Sequence, residues 1–148
     1  MFKHILVPLS IELSNEKFLE SACLLAKENG AKITFYHAIP PYFPSIMVAD
    51  NVVTDSNVYD AFSVAVNKQA ATLLEAAEAA AKNMAVPCAT LSTLRDSPYE
   101  GIVIAATEQG CDLIFMSSHG RRGMSALLLG SETQKVLTHC KIPVLVYR

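Results

Sequence analysis

Two segments of this chain carry residues whose types and spacing could do chemistry. The first is Ser117-Ser118-His119-Gly120-Arg121-Arg122-Gly123, followed after nine residues beyond Gly120 by Gly130-Ser131. Small residues let backbone N–H groups approach an anion closely, and a helix starting at Ser131 would add unpaired donors and a partial positive charge. Arg121 and Arg122 bring cationic charge to the same loop. That combination describes a phosphate cradle. The second segment is Val7-Pro8-Leu9-Ser10, where an apolar run ends in a hydroxyl. A ligand-free reading stands beside both. Ser131 and Gln134 form S-x-x-Q, a capping box, and Gly120, Gly123 and Gly130 suit turns with positive φ.

Other chemistries find little support. No G-K-[ST] occurs, so the loop is not a Walker motif, and no G-x-G-x-x-G follows the first apolar run. Neither Ser10 nor Ser117 sits in a G-x-S-x-G elbow. Phosphate hydrolysis needs a base and usually a metal-holding carboxylate, for which the loop offers His119 and Glu132. Catalysis is not expected. His4, His37 and His139 are dispersed and read as packing or surface residues, and the four cysteines form neither a C-x-x-C pair nor a zinc spacing. Cys23 and Cys140 fall on apolar helix faces, Cys88 and Cys111 at strand edges, as inert thiols.

The elements that must position these residues alternate along the chain. Phe2–Val7, Lys32–Ile39, Thr90–Leu94, Asp112–Ser117 and Pro143–Tyr147 read as strands. Between them, helices are expected from Ser14 to Asn29, from Asn57 to Met84, from Ser97 and from Ser131 to Cys140. The long second helix shows the stripe Phe62, Val66, Ala70, Leu73, Ala77, Ala81 and Met84. Ser97 and Glu100 read as a capping box with Pro98 at the first helical position. Five strands separated by helices imply a parallel, doubly wound α/β sandwich, whose ligands bind beyond the strands' carboxyl ends. Pro40–Ser56 is the irregular piece. Its Tyr42, Phe43, Ile46, Met47 and Val48 need cover, whether from the sheet edge, a second subunit or a ligand.

Composition bounds the rest. The chain has 148 residues, 51% hydrophobic and 18% charged, with net charge −2. That length suits one domain, residues 1–148, burying roughly 68–70% of its unfolded surface. Twelve Lys and Arg against fourteen Asp and Glu leave no basic field for nucleic acid or anionic lipid. No run approaches the ~20 apolar residues of a membrane span, and the apolar start broken by Pro8 is too short for a signal peptide. A cytoplasmic protein is expected.

The segment MSSHGRRGMSALLLGSETQKVLTHCKIPVLVY resembles the C-terminal signature VMxSHGRxGxxxLLLGSxxxxVL…PVLV of the universal stress protein family. HILVP, the long second helix and SPYEGIVIAATEQGCDLIFMSS extend that resemblance over the whole chain. It implies an α/β three-layer sandwich: a five-stranded parallel sheet, strand order 3-2-1-4-5, with helices on both faces. It also implies a homodimer joined through Val144, Leu145, Val146 and Tyr147. Many members bind ATP through G-x2-G-x9-G-[ST] and an Asp ending the first strand; others lack the motif and bind none. Here the loop is S-x2-G-x9-G-S, with Ser117 at the first glycine and Gly120, Gly130 and Ser131 in place. The Asp is replaced by Ser10, uncharged and shorter, with Glu12 two residues on.

The resemblance therefore implies a site made of Pro8, Leu9, Ser10, Ala38, Met116, Ser117, His119, Gly120, Arg121, Gly130, Ser131, Glu132 and Thr133. Ala38 lines the adenine slot, Met116 lies beneath the base, and Ser131 and Thr133 offer hydroxyls or N–H groups to phosphates. The expected ligand is ATP or another adenine nucleotide, with or without Mg2+. The expected role is a homodimeric, non-enzymatic regulator or sensor of the stress response with a protein partner. Two alternatives remain: a dimerisation or interaction module whose nucleotide site has decayed, and a slow ATPase.

Overall fold

The apolar runs form the strands of one sheet, and their near-continuous hydrophobicity has a direct cause: both faces are covered. The computed structural model describes residues 1–11, 14–41, 46–48, 51–53, 56–118 and 129–148. In chain order the elements are β1 (His4–Pro8), α1 (Glu16–Asn29), β2 (Lys32–Ile39), β3 (Ile46–Val48), β4 (Asn51–Val53), α2 (Ser56–Asn83), β5 (Cys88–Leu94), α3 (Pro98–Glu108), β6 (Leu113–Ser117), α4 (Ser131–His139) and β7 (Val144–Tyr147). Five strands pair in parallel in the order β5-β2-β1-β6-β7. Counted as the five strands of this sheet, that is the order 3-2-1-4-5.

Strand periodicity divides the core in two. Ile5, Val7, Ile33, Phe35, Leu113 and Phe115 face α1 and α2, whose Phe18, Ala22, Cys23, Leu74, Ala77 and Ala81 complete one cluster. Leu6, Tyr36, Ile114 and Met116 face the other way, against Ile102, Ala105 and Ala106 of α3 and Val136 of α4. The expected α2 stripe holds: Ala70, Ala77 and Ala81 are buried, and Phe62, Val66, Leu73 and Met84 are partly buried. Among the described residues, no helix is long and apolar enough to cross a membrane.

Several details correct the sequence expectations. Residues 40–56 are not wholly irregular, because β3 and β4 pair antiparallel as a short hairpin. Two β-branched, apolar segments two residues apart in sequence account for it. Tyr42 and Phe43, and the side chains of Ile46, Met47 and Val48, lie outside what is described. Helix α1 begins at Glu16, two residues later than Ser14, because the Asn15 carboxamide accepts the Phe18 amide at 2.9 Å and so caps it. Gly30 ends α1 in the left-handed conformation, as a C-terminal glycine should. Cys140 follows α4 rather than lying on its face. Burial pushes the Cys23 and Cys111 thiols up to about 11 and raises Cys88 as well, so all three remain protonated at neutral pH.

At the amino end of the sheet, one carboxylate ties β1 to β6. Asp112 accepts the Lys3 amide at 2.8 Å and the His4 amide at 3.0 Å. Burial alone would raise its pKa, but the His4 and Lys3 amides, with its own amide and the His4 ring, hold the carboxyl below its ordinary value. His4 itself is buried beside the Thr34 hydroxyl at 2.8 Å. Burial, aided by the Lys32 charge, lowers its pKa from 6.5.

Two outcomes follow from this packing. Neutral His4 contributes stability that is present above pH 6.5 and lost as the pH falls through its lowered folded value. Urea unfolding should therefore show stability declining from pH 7 to 5, with a shallower decline for His4→Gln. Separately, a Cβ on Gly101 would overlap the Tyr36 hydroxyl, because α3 lies directly on β2 there. Gly101→Ala should cost about 1–3 kcal/mol by overpacking, and Tyr36→Phe should recover part of that loss in a double-mutant cycle.

Candidate functional site

The site begins where a ladder stops. β1 pairs with β2 along all five of its residues, from His4 to Pro8. With β6 it pairs only at Ile5–Leu113 and Leu6–Ile114. Beyond Leu6 the two central strands are no longer paired, and their connections run to opposite sides of the sheet. This is the switch point at which an open α/β sheet presents a crevice. A cavity of about 530 Å³ opens there.

Ten of the thirteen expected site residues line that one cavity: Pro8, Leu9, Ser10, Ala38, Met116, Ser117, Gly130, Ser131, Glu132 and Thr133. His119, Gly120 and Arg121 lie outside the described residues, as do Glu12, Arg122 and Gly123. The wall also includes Ile11, Ser14, Phe18, Tyr36, Pro98 and Ile102, which the motif does not name. Two of these were within reach of sequence reasoning. Tyr36 shares a strand face with Ala38, and Ile102 follows Pro98 by one helical turn. Nothing in the sequence marks Phe18, which reaches the cavity from α1 and stacks on Phe115 with ring centroids 5.3 Å apart.

The β1 extension is held from below by β2. The Leu9 amide donates to the Tyr36 carbonyl at 2.7 Å, and His37 Nδ1 bonds the Leu9 carbonyl at 2.9 Å. His37 is thus not only a packing residue; it fixes the last turn of backbone before Ser10. Next, the Ser14 hydroxyl accepts the Ser10 amide at 3.1 Å. The Ser10 side chain has no such partner. Its hydroxyl oxygen is buried and makes no hydrogen bond among the described residues. A buried polar group left unmatched is uncommon and costs free energy.

The opposite wall is the start of α4. Neither expected capping box forms. Gly130, not Ser131, is the residue before the helix, and Ser131 is its first member. The Gln134 side chain reaches back to the Leu129 carbonyl at 3.0 Å. Gly130 has φ −55, so it does not serve as a positive-φ turn. Its amide donates to Ser118 at 3.2 Å, and the Gln134 amide donates to its carbonyl at 3.1 Å. The amides of Ser131, Glu132 and Thr133 lie in the first turn, where no intrahelical carbonyl can accept them. Ser131, Glu132 and Thr133 line the cavity, so the positive end of a helix dipole forms part of its wall.

Other groups on this wall are already engaged. The Thr133 hydroxyl donates to the Ser117 carbonyl at 3.3 Å, so its side chain braces β6. Ser97 does not cap α3 either. Instead Glu132 does so from α4, accepting the Tyr99 amide at 2.9 Å, while its other oxygen takes Lys135 Nζ at 2.9 Å. That pairing raises the Lys135 pKa. Glu100, released from capping, accepts the Tyr99 hydroxyl at 3.0 Å and raises that phenol's pKa. Among the described residues no three His, Cys, Asp or Glu side chains gather to hold a metal.

A doubly wound sheet of this order, with a cavity at its switch point walled by a glycine-serine helix start, defines a class. The chain belongs to the universal stress protein family, whose family model matches residues 1–148. Universal stress protein YxiE of Bacillus subtilis is 28% identical over 149 residues, spanning 100% of both chains. A 51-residue stretch is 43% identical to universal stress protein MJ0577 of Methanocaldococcus jannaschii, covering 34% of this chain and 32% of that protein. The solved structure of MJ0577 matches the fold with TM-score 0.79 at 22% identity, over 99% of this chain and 95% of that one. A universal stress protein solved in complex with cAMP matches with TM-score 0.68 at 20% identity, over 99% and 97%.

The unmatched hydroxyl gives a prediction that needs no ligand. Ser10→Ala removes a buried oxygen without a partner, so it should stabilise the free protein by about 1 kcal/mol in chemical denaturation. A loss of stability would mean that the oxygen is already satisfied.

Proposed function

We propose that this chain is a nucleotide-binding regulatory or sensor protein of the stress response that takes an adenine nucleotide in the switch-point cavity. The observation that carries the reading is the cavity at the switch point, lined on one side by Leu9 and Ser10 at the end of β1 and on the facing side by the first turn of α4. On that lining Ser10 suits a ribose hydroxyl. The apolar surfaces of Leu9, Ala38 and Met116 suit a flat base, a thioether packing well against a ring. The amides of Ser131 to Thr133 suit a phosphate. The volume falls within the range usual for small-molecule sites. The relative in complex with cAMP supports the same class of ligand.

The role proposed is binding rather than turnover. Glu132, the carboxylate on the described wall, has both oxygens engaged, which leaves it poorly placed to hold a metal or activate water. Dimerisation is proposed through β7. It is an edge strand, bonded on one side to β6, and Leu145 on it is 38% exposed. A second copy adding its own β7 would cover that edge.

The test is direct. Protein purified without added nucleotide is denatured, and released small molecules are identified by chromatography and mass spectrometry. In parallel, melting is followed with ATP, ADP, AMP, cAMP and GTP, with and without Mg2+. At a hundredfold excess over Kd, an adenine nucleotide should raise Tm by about 5–10 °C. Gly130→Val, whose φ any residue tolerates, should fold normally and lose that shift, because a side chain blocks approach to the α4 amides. No co-purifying nucleotide and no shift with any of the five would favour the interaction module with a decayed site.

A further inference from the structure

At the edge of the sheet opposite β7 lies β5, and no described strand pairs with its outer side. Edge strands usually carry a charge, a proline or a bulge that deters further pairing. This one, CATLSTL, has no charged residue and no proline, and its register on β2 runs unbroken from Cys88 to Leu94. The flanking bonds fix which of its backbone groups turn outward. Ile33 donates its amide to the Pro87 carbonyl, and Arg95 donates to the Ile39 carbonyl. Bonding sense alternates along a strand, so Ala89, Leu91 and Thr93 give their N–H and C=O groups to β2. Cys88, Thr90, Ser92 and Leu94 present theirs to the outside. A cleft of about 400 Å³ runs beside this edge, between β5 and α2. Thr90 and Ser92 line one side, and Asn67, Ala71, Glu75 and Glu78, a single stripe of α2, line the other. Because α2 returns from the carboxyl end of β2 to the amino end of β5, the groove is polarised. At the carboxyl end, Val64, one turn before Asn67 on that stripe, is 68% exposed, and Leu94 of β5 is 66% exposed. At the amino end stand the two carboxylates. Glu78 is paired with Lys82 at 3.2 Å, whereas Glu75 is exposed and has no ion-pair partner among the described residues.

We propose that the β5 edge is a docking surface for an extended, positively charged segment of another protein, which joins the sheet as a further strand. Main-chain bonds to Thr90, Ser92 and Leu94 hold that segment, and its alternate side chains enter the cleft. Its apolar residues meet Val64 and Leu94, and a Lys or Arg meets Glu75. A second copy of this chain is the poorer occupant. Antiparallel pairing of two β5 strands about a two-fold axis puts both α2 helices on one face of the joined sheet, with their carboxylate stripes toward each other. Like charges so placed disfavour that pairing, and the same charges favour a cationic strand. This surface is separate from the switch-point cavity and from β7.

The probe is a fluorescein-labelled peptide, Val-Thr-Val-Thr-Lys-Thr-Lys, whose apolar and cationic residues share one strand face and suit antiparallel addition. A counterpart with Glu in place of both Lys is the control, and binding to the full chain is followed by fluorescence anisotropy. The Lys peptide should bind about fivefold more tightly than the Glu peptide, and the difference should shrink with added salt. Ser92→Pro removes one outward N–H while leaving every bond to β2 in place, and should weaken the Lys peptide about tenfold. Glu75→Lys, at an exposed helix position, should abolish the preference for the Lys peptide, and it serves as the second arm if the proline variant folds poorly by circular dichroism. Failure of the Lys peptide to bind, equal binding of the two peptides, or binding that neither substitution changes overturns the proposal. Self-association of the parent that Ser92→Pro abolishes also overturns it, by giving the edge to a second copy.

Discussion

The two central strands share only two residue pairs before they separate, and the rest of the molecule is arranged around that limit. Asp112 clamps β1 to the start of β6 through the Lys3 and His4 amides, so the strands are fixed at the amino end. Above Leu6 each is held only by its outer neighbour. β1 stays on β2 through Pro8, and the Leu9 amide continues the ladder to Tyr36. β6 stays on β7 through Ser117, and the Ser118 amide continues that ladder to Tyr147. A crevice with fixed lips is the result. Burial of the flanking apolar residues on both faces keeps it from collapsing.

The walls of this crevice are joined to each other more closely than a surface cleft requires. Glu132 crosses from α4 to the start of α3, and Lys135 reaches both that carboxylate and the face of the Tyr99 ring, 5.5 Å from its centroid. Thr133 ties the same turn of α4 to β6. On the other face Phe18 joins the cavity to Phe115 and Tyr147, with centroids 5.3 and 5.7 Å away. The edge strand proposed for dimerisation thus touches the wall proposed for ligand.

Ser10 illustrates the conflict between site and stability. Its oxygen lies buried without a partner among the described residues, at a free-energy cost. The backbone around it is matched: Tyr36 and His37 hold Leu9, and Ser14 bonds both the amide and the carbonyl of Ser10. The mismatch sits at the end of β1, beside the cavity rather than in the middle of the core.

The sheet, its parallel sense and the helices on each face were legible in the sequence, because alternating strand and helix periods leave few arrangements of layers. The strand end at Ser10 and the helix start at Gly130-Ser131 were local signals, whereas Ala38, Met116 and Thr133 came only from the family resemblance; all five line the one cavity beside Ser131. Local signals failed at the caps. Ser97 and Ser131 read as capping residues, but neither side chain caps its helix: the start of α3 is served by Glu132 from across the α3–α4 interface, and α4 has Gly130 before it, held by the Ser118 carbonyl. Phe18 and His37 joined the site for the same reason, arriving from elements far apart in sequence. Residue type and spacing therefore determined which groups could meet an anion. Only the separation of β1 from β6 decided which of them face one space, and which were already spent on each other.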